Sequence, residues 1–219
     1  MKRVRGLERR LEQLVEGLAG RVFRGRLHPA ELGARLVREA DLASFQGEAG
    51  PTVPNLYTLR VHPRELGEES LAAPLGRQLA ALLESAAIER GWRLEGPVEV
   101  LIEADERLPA GGLECHGEVR PGTLVPWAYL RTVDGAHHLA LRHNRALVGR
   151  STTMDVVVPE PEVSRAHALI WREQEGGWIM DLDSSNGTYV DGAAVTRPTP
   201  IYPGSLVSFG SARFKYQPA

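Results

Sequence analysis

The apolar residues of this chain keep a helical spacing at first and lose it near residue 120. From there on, "WAYLRTV", "HHLALR", "RALVGR", "DVVV", "HALIWRE", "GWIMDL", "TYV", "SLVSFG" and "ARFKYQ" follow one another as short runs divided by Gly, Pro, Asp, Asn and Ser. Runs this short bury little as helices. Paired as strands they can share a core between two sheets, so the pattern predicts an all-β sandwich.

The first part reads differently. Leu7, Leu11, Leu14, Val15 and Leu18 recur at helical spacing. Pro29 suits the first position of a second helix, which Glu31 favours through the dipole and whose apolar side runs Leu32, Leu36, Val37 and Ala40. The loop "FQGEAGPTVPN" ends it. Tyr57, Leu59 and Val61 then alternate as a strand. A third helix follows through Leu75, Leu79, Leu82, Leu83 and Ala86, with Pro74 at its start and Gly91 as its stop. Val98, Val100 and Ile102 alternate again, and Leu113, Cys115 and Val119 mark a third strand after the Gly111-Gly112 turn. The expected organisation is a small α+β domain over residues 1–120, a short linker over 121–126 and the all-β sandwich over 127–219.

Charge separates the halves further. The net charge of -2 offers no global attraction to nucleic acid, yet residues 1–38 hold ten Lys/Arg against four Glu. Residues 39–124 hold seven basic side chains against fifteen acidic ones, and residues 125–219 hold nine of each. With Cys115 as its single cysteine the chain excludes an intramolecular disulfide and any CxxC motif, and this fits a reducing compartment. No apolar run reaches the ~20 residues of a membrane span, and the basic N-terminus lacks the apolar stretch of a signal peptide. The expectation is a cytoplasmic protein with no transmembrane segment.

Three polar loops of the sandwich carry the chemistry: Gly149-Arg150-Ser151, then Ser164-Arg165-Ala166-His167, then Ser184 to Thr188 within "DSSNGTYVDG" (183–192). Taken alone, Gly-Arg after a strand or a single Asn-Gly reads as an ordinary turn. Asp191-Gly192 is the expected two-residue hairpin turn and needs no functional reading. The three loops together, in this order and spacing, resemble the forkhead-associated (FHA) domain, a β-sandwich that binds phosphothreonine peptides through loops at one end. The resemblance covers about residues 125–219. It implies phosphate contacts for Arg150, Ser164 and Ser185, a further contact for Arg165, and a hydrogen bond from Asn186 to the peptide main chain. Gly149 and His167 are implied to be structural, with His167 tying the loops together from below.

The residue chemistry agrees. A phosphothreonine carries roughly -1.5 to -2 charge and three acceptor oxygens, so its reader needs a fixed cation and short neutral donors. Arg150 offers a planar fork, and Ser164 and Ser185 offer hydroxyls. Asn186-Gly187 with Thr188 is expected to form a niche for the threonine methyl.

Other sites are weaker. His137-His138 with His143 could suggest a metal, but adjacent strand residues point to opposite faces, and solvated positions are expected. Cys115-His116 diverge for the same reason, so Cys115 is read as a core position rather than a nucleophile. No phosphate-binding P-loop, zinc-helix motif or nucleophile elbow is present. The chain is therefore expected to bind rather than catalyse, with no cofactor and no metal.

The N-terminal half, through "LERRLEQLVEGLAGRVFRGRLHPAELGARLVREAD", "VPNLYTLRVHP" and "GPVEVLIEAD", looks like the FhaA-like α+β domain found ahead of the FHA module in bacterial signalling adaptors. That resemblance implies phosphothreonine-containing partners, namely substrates of Ser/Thr kinases or pseudokinases, with room for a membrane-protein partner, and a tie to cell-envelope synthesis or division. Related chains place a long tether between the domains, whereas "RPGTLVP" is short. An alternative reading has the basic N-terminal helices bind nucleic acid or an anionic surface; Gly17-Leu18-Ala19-Gly20 formally matches the GxxG of KH domains. Nucleic acid is not expected as an obligatory partner.

Overall fold

Leu32, Leu36, Val37 and Ala40 recur at intervals that a helix brings to one side, and α1 (Pro29–Leu42) buries all four. The structure is a computed structural model describing residues 29–66, 72–173 and 176–219. The helix expected over Leu7 to Leu18 and the Gly17 to Gly20 motif lie outside the described residues. Two compact units divide the chain, one ending at Thr123 and the other formed by Leu124–Ala219, with Glu48–Gly50 grouped with the second.

The first unit is α+β. Its segment "FQGEAGPTVPN" is more ordered than a loop: β1 (Phe45–Gly47) and β2 (Gly50–Thr52) pair within it. A three-stranded sheet places β3 (Leu56–Val61) at its centre, with β4 (Glu99–Ala104) parallel on one side and β5 (Leu113–Glu118) antiparallel on the other. A parallel pair needs a long crossover, and α2 (Ala72–Arg90) supplies it. The helix stops where Gly91 turns to a φ of 70°, and the Trp92 amide reaches back to the Ala87 carbonyl at 2.8 Å.

Tyr57, Leu59 and Val61 point inward from β3 against Leu75, Leu79 and Leu83 of α2. Cys115 packs against this core half-buried, and burial pushes its thiol pKa up to about 12. Val119 falls beyond the end of β5 and is exposed, because the strand stops at Glu118. Buried Asn55 closes this edge: its Nδ2 donates to the Pro97 and Arg120 carbonyls, and its Oδ1 accepts from the Arg120 amide.

The second unit is the sandwich. Its strands in chain order are β6 (Ala128–Thr132), β7 (His138–Leu141), β8 (Arg145–Gly149), β9 (Val156–Val157), β10 (Ala168–Glu173), β11 (Gly176–Asp181), β12 (Thr188–Val190), β13 (Ala193–Ala194), β14 (Thr199–Ile201), β15 (Leu206–Phe209) and β16 (Ala212–Pro218). One sheet runs β14-β11-β10-β8-β9 and the other β13-β12-β15-β16-β6-β7. Alternate residues of both, among them Leu130, Val148, Ile170, Ile179, Val207 and Phe209, fill the space between them. Asp191 and Gly192 turn β12 into β13 with φ values of 50° and 84°, both positive as a two-residue hairpin requires. The sequence reading did not include β14. It contains Pro200, which cannot donate to a ladder, and accordingly it lies at a sheet edge.

Among the described residues no helix is long and apolar enough to cross a membrane, and this says nothing of a β-barrel.

The Tyr57 hydroxyl is buried without a hydrogen-bond partner. Such a group leaves water at a net loss, so Tyr57→Phe is expected to raise unfolding stability by about 1 kcal/mol. Urea denaturation of the two proteins checks this; a destabilised variant would contradict it.

Candidate functional site

Because β10 pairs antiparallel with both β8 and β11, the end of β8, the start of β10 and the end of β11 fall at one end of their sheet. The loops that leave these strands are those singled out in the sequence. Their contacts start from Gly149, whose Cβ, if present, would fall 2.2 Å from the Arg165 carbonyl oxygen. Only glycine permits that approach. It lets the Arg150 amide bond the Ser164 carbonyl at 2.9 Å and the Ser151 amide bond the Arg165 carbonyl at 3.1 Å.

His167 stands beneath the loops, fully buried. Its Nδ1 accepts from the Ser164 amide at 3.0 Å, so that nitrogen is unprotonated. The proton therefore sits on Nε2, which lies 3.2 Å from the Gly187 carbonyl and donates to it. Desolvation lowers the pKa of His167 against the smaller opposing effects of the Gly187 carbonyl and the nearby Asp181 carboxylate. One neutral imidazole thus joins two loops.

Asp181 was not singled out in the sequence. Its Oδ1 accepts the hydroxyls of Ser184 and Thr188, each at 2.6 Å, and its Oδ2 accepts the Ser184 amide at 2.9 Å. Desolvation works to raise the carboxyl pKa, but these hydrogen bonds together hold it below the usual carboxylate range. A carboxylate three residues ahead of a Ser in a turn was the available signal. Within this loop Asp183 and Gly187 take positive φ values of 54° and 75°.

The remaining side chains face outward. Arg150 is exposed and anchors its Nε on the Val163 carbonyl at 3.1 Å, which leaves both terminal nitrogens of the fork to act elsewhere. Ser164 Oγ accepts the Ser185 amide at 3.0 Å and keeps its own hydrogen to donate. Arg165 is exposed, and its guanidinium makes no hydrogen bond or ion pair among the described residues. Ser185 and Asn186 are exposed as well, and Asn186 Nδ2 donates to the Glu162 carbonyl at 2.8 Å. Arg150, Ser151, Ser164, Arg165 and Ser185 line one depression. An anion there would meet a fixed cation, a second arginine and several hydroxyl donors, with the Glu48 carboxylate the one acidic group on the lining.

Thr188 is buried, with its hydroxyl on Asp181, so it braces the loop from inside. One expectation needs correction. His143 is not a solvated strand residue: it lies between β7 and β8 with its Nδ1 3.1 Å from Asp155 Oδ1. His137 and His138 are exposed, and no group of His, Cys, Asp and Glu that could hold a metal ion occurs among the described residues.

Comparison with known proteins follows the same division. The family model described as "FhaA, N-terminal domain" matches residues 4–116, and the FHA domain model matches residues 146–210. The FHA domain-containing protein FhaA of Mycobacterium tuberculosis is 37% identical over 125 residues, covering 54% of this chain and 23% of FhaA. FhaB of the same species is 29% identical over 93 residues, covering 41% of this chain and 60% of FhaB. The chain thus spans less than a quarter of the length of FhaA. A crystal structure of the FhaA FHA domain complexed with the intracellular domain of Rv3910 is 26% identical, covers 41% of this chain and 99% of that one, and superposes with a TM-score of 0.38.

The buried imidazole makes stability depend on pH. Its pKa is lower in the folded state than in the unfolded chain, so below the ordinary histidine value of ~6.5 the unfolded chain takes up a proton that the folded one refuses. Stability is expected to fall with decreasing pH below ~6.5, by up to ~1.4 kcal/mol per pH unit from this residue alone. Urea unfolding of wild type and His167→Gln between pH 5 and pH 8 measures the difference; equal slopes would contradict the assignment.

Proposed function

Because the chain belongs to the FhaA N-terminal domain family and carries an FHA domain, we propose that it is a phosphothreonine-peptide-binding adaptor in bacterial Ser/Thr kinase signalling. The observation that carries this reading is the convergence of Arg150, Ser164 and Ser185 from three loops on one depression.

In this reading the terminal nitrogens of Arg150 take two phosphate oxygens side by side, its Nε being fixed on the Val163 carbonyl. The hydroxyls of Ser164 and Ser185 donate to the phosphate, and Arg165 adds a second positive charge from the rim. Asn186 has its amide nitrogen engaged by Glu162, so it meets the peptide through Oδ1, accepting a main-chain N–H. Gly149, His167 and Asp181 touch no ligand and hold the loops at the spacing a phosphate needs. The protein acts by recruitment, without turnover. Cys115, the single thiol, is kept protonated by burial and is unsuited to nucleophilic attack. Its partners are phosphothreonine-containing proteins, substrates of a Ser/Thr kinase or pseudokinase. Its setting is the cytoplasm, in the control of cell-envelope synthesis or division. The likeness to FhaA supports that setting.

Preference for threonine over serine rests on one methyl group. With Thr188 turned inward, Asn186 and Gly187 remain to shape the niche. Gly187 takes a φ of 75°, so a larger residue there would strain the loop as well as fill the space. The informative comparison is therefore made with peptides on the wild-type protein.

Two outcomes are expected. Arg150→Ala leaves the sandwich folded and weakens binding of a phosphothreonine peptide by about 30-fold or more, from the ~2 to 5 kcal/mol that truncating one partner of a desolvated charge pair costs. Calorimetry measures it, and an unchanged dissociation constant would place the phosphate elsewhere. Matched peptides differing only in the methyl should favour phosphothreonine over phosphoserine by roughly 10- to 200-fold. Equal affinities would refute the niche.

A further inference from the structure

Residues 125–219 hold as many acidic as basic side chains, but the two sheets of the sandwich do not share them evenly. The strands β13, β12, β15, β16, β6 and β7 contain no Asp or Glu. Their charged side chains are Arg131, Arg213 and Lys215, joined by His138. The neighbours of these residues, Leu130, Phe214, Tyr216 and Leu139, pack into the core, so strand alternation turns all four outward. Register then sets them side by side: Lys215 lies opposite Arg131, and Arg131 opposite His138. Arg213 stands two residues along β16 on the same face. Like charges directly opposite on neighbouring strands work against pairing. The three cations are exposed, and among the described residues none of them makes a hydrogen bond or an ion pair. Folding draws no stability from that arrangement, so it points to something bound.

We infer that this outer face docks on an anionic lipid surface, with Arg131, Arg213 and Lys215 among the headgroups. None of the residues lining the phosphate depression belongs to the face, so the two sites do not compete for side chains. Charge and shape together name the occupant. The cations spread in two directions, across neighbouring strands and along β16, so a plane of headgroups meets all of them, whereas one strand of nucleic acid follows a single line. Residues 39–124 hold fifteen acidic side chains against seven basic ones and repel a long polyanion that runs on past the face. A bilayer acts only on the surface turned toward it, within a Debye length of ~10 Å. Tyr129, Tyr189 and Leu206 share the face and are only partly buried. Tyrosine, with an apolar ring and a polar tip, suits the headgroup level. Each Lys or Arg near such a surface strengthens attachment about fivefold, so three give about 100-fold, an attachment that salt weakens.

The test is cosedimentation of the full chain with vesicles of phosphatidylcholine, alone or with about a third phosphatidylglycerol, at low and at high salt. Wild type is compared with Arg213→Gln, with the double variant Arg131→Gln and Lys215→Gln, and with Arg150→Ala. Wild type is expected on the anionic vesicles only, and raised salt should release it. Arg213→Gln should weaken this attachment about fivefold and the double variant about 25-fold. Both should unfold in urea no earlier than wild type, since they relieve repulsion between exposed like charges. Arg150→Ala should bind vesicles as wild type does. Equal partition of wild type onto both kinds of vesicle, or onto neither, would overturn the inference and leave the phosphopeptide reading intact. Attachment that the glutamine variants do not weaken would also overturn it, placing the contact in another basic stretch. So would a single-stranded oligonucleotide bound through Arg131 and Lys215 while anionic vesicles are ignored. Vesicle binding that Arg150→Ala abolishes would assign the headgroups to the phosphate depression instead.

Discussion

A single uncharged imidazole holds the loop end of the sandwich together. The His167 ring accepts the Ser164 amide on one side and donates to the Gly187 carbonyl on the other, while its own backbone bonds Val148 and Leu182. Ring and backbone together link three stretches of chain, around Val148, Ser164 to His167, and Leu182 to Gly187. Lysine and arginine only donate and an ionised carboxylate only accepts, so none of these could make both bonds. Phe209 packs edge-on against the ring from the core with centroids 5.4 Å apart, so the tie is fixed in position as well as in chemistry.

Around this tie the loops are pre-set rather than waiting for a ligand to order them. Asp181 collects three hydrogen bonds from Ser184 and Thr188, Ser164 Oγ takes the Ser185 amide, and Asn186 is clipped to Glu162. Each of these contacts removes freedom that binding would otherwise have to remove. The terminal nitrogens of Arg150, the guanidinium of Arg165 and the hydroxyl hydrogens of Ser164 and Ser185 remain as donors, with Asn186 Oδ1 left as an acceptor at the rim. Such a set of donors favours a multiply accepting anion.

Much of this was legible in the sequence because its determinants are local. The alternation of Tyr57, Leu59 and Val61, the apolar stripe of α1 and the glycine stop of α2 each follow from neighbouring residues. So does the Asp191-Gly192 hairpin. The less visible features depend on contacts distant in sequence or on position within a sheet. The three residues of β14 were not among the runs read as strands; they contain Pro200, and the strand lies at an edge, where a missing donor is tolerated. Thr188 read as part of the methyl niche because the carboxylate that draws its hydroxyl inward lies seven residues earlier. His143 read as solvated because its partner Asp155 is on a separate loop. The role of Asp181 was hidden in the same way: an acidic residue at a strand end is common, and only the fold of the following turn gives it three donors.

The central claim is that the loop end of the sandwich reads a phosphate through Arg150 and the serines beside it. Amide chemical-shift mapping of the ¹⁵N-labelled full chain, titrated with one peptide in phosphorylated and unphosphorylated forms, tests this most directly. The account predicts that only the phosphorylated form shifts the amides of Arg150, Ser151, Ser164, Arg165, Ser185 and Asn186, with residues 29–66 and 72–118 unmoved. Equal shifts from both peptides, or shifts centred on the α+β unit, would contradict it.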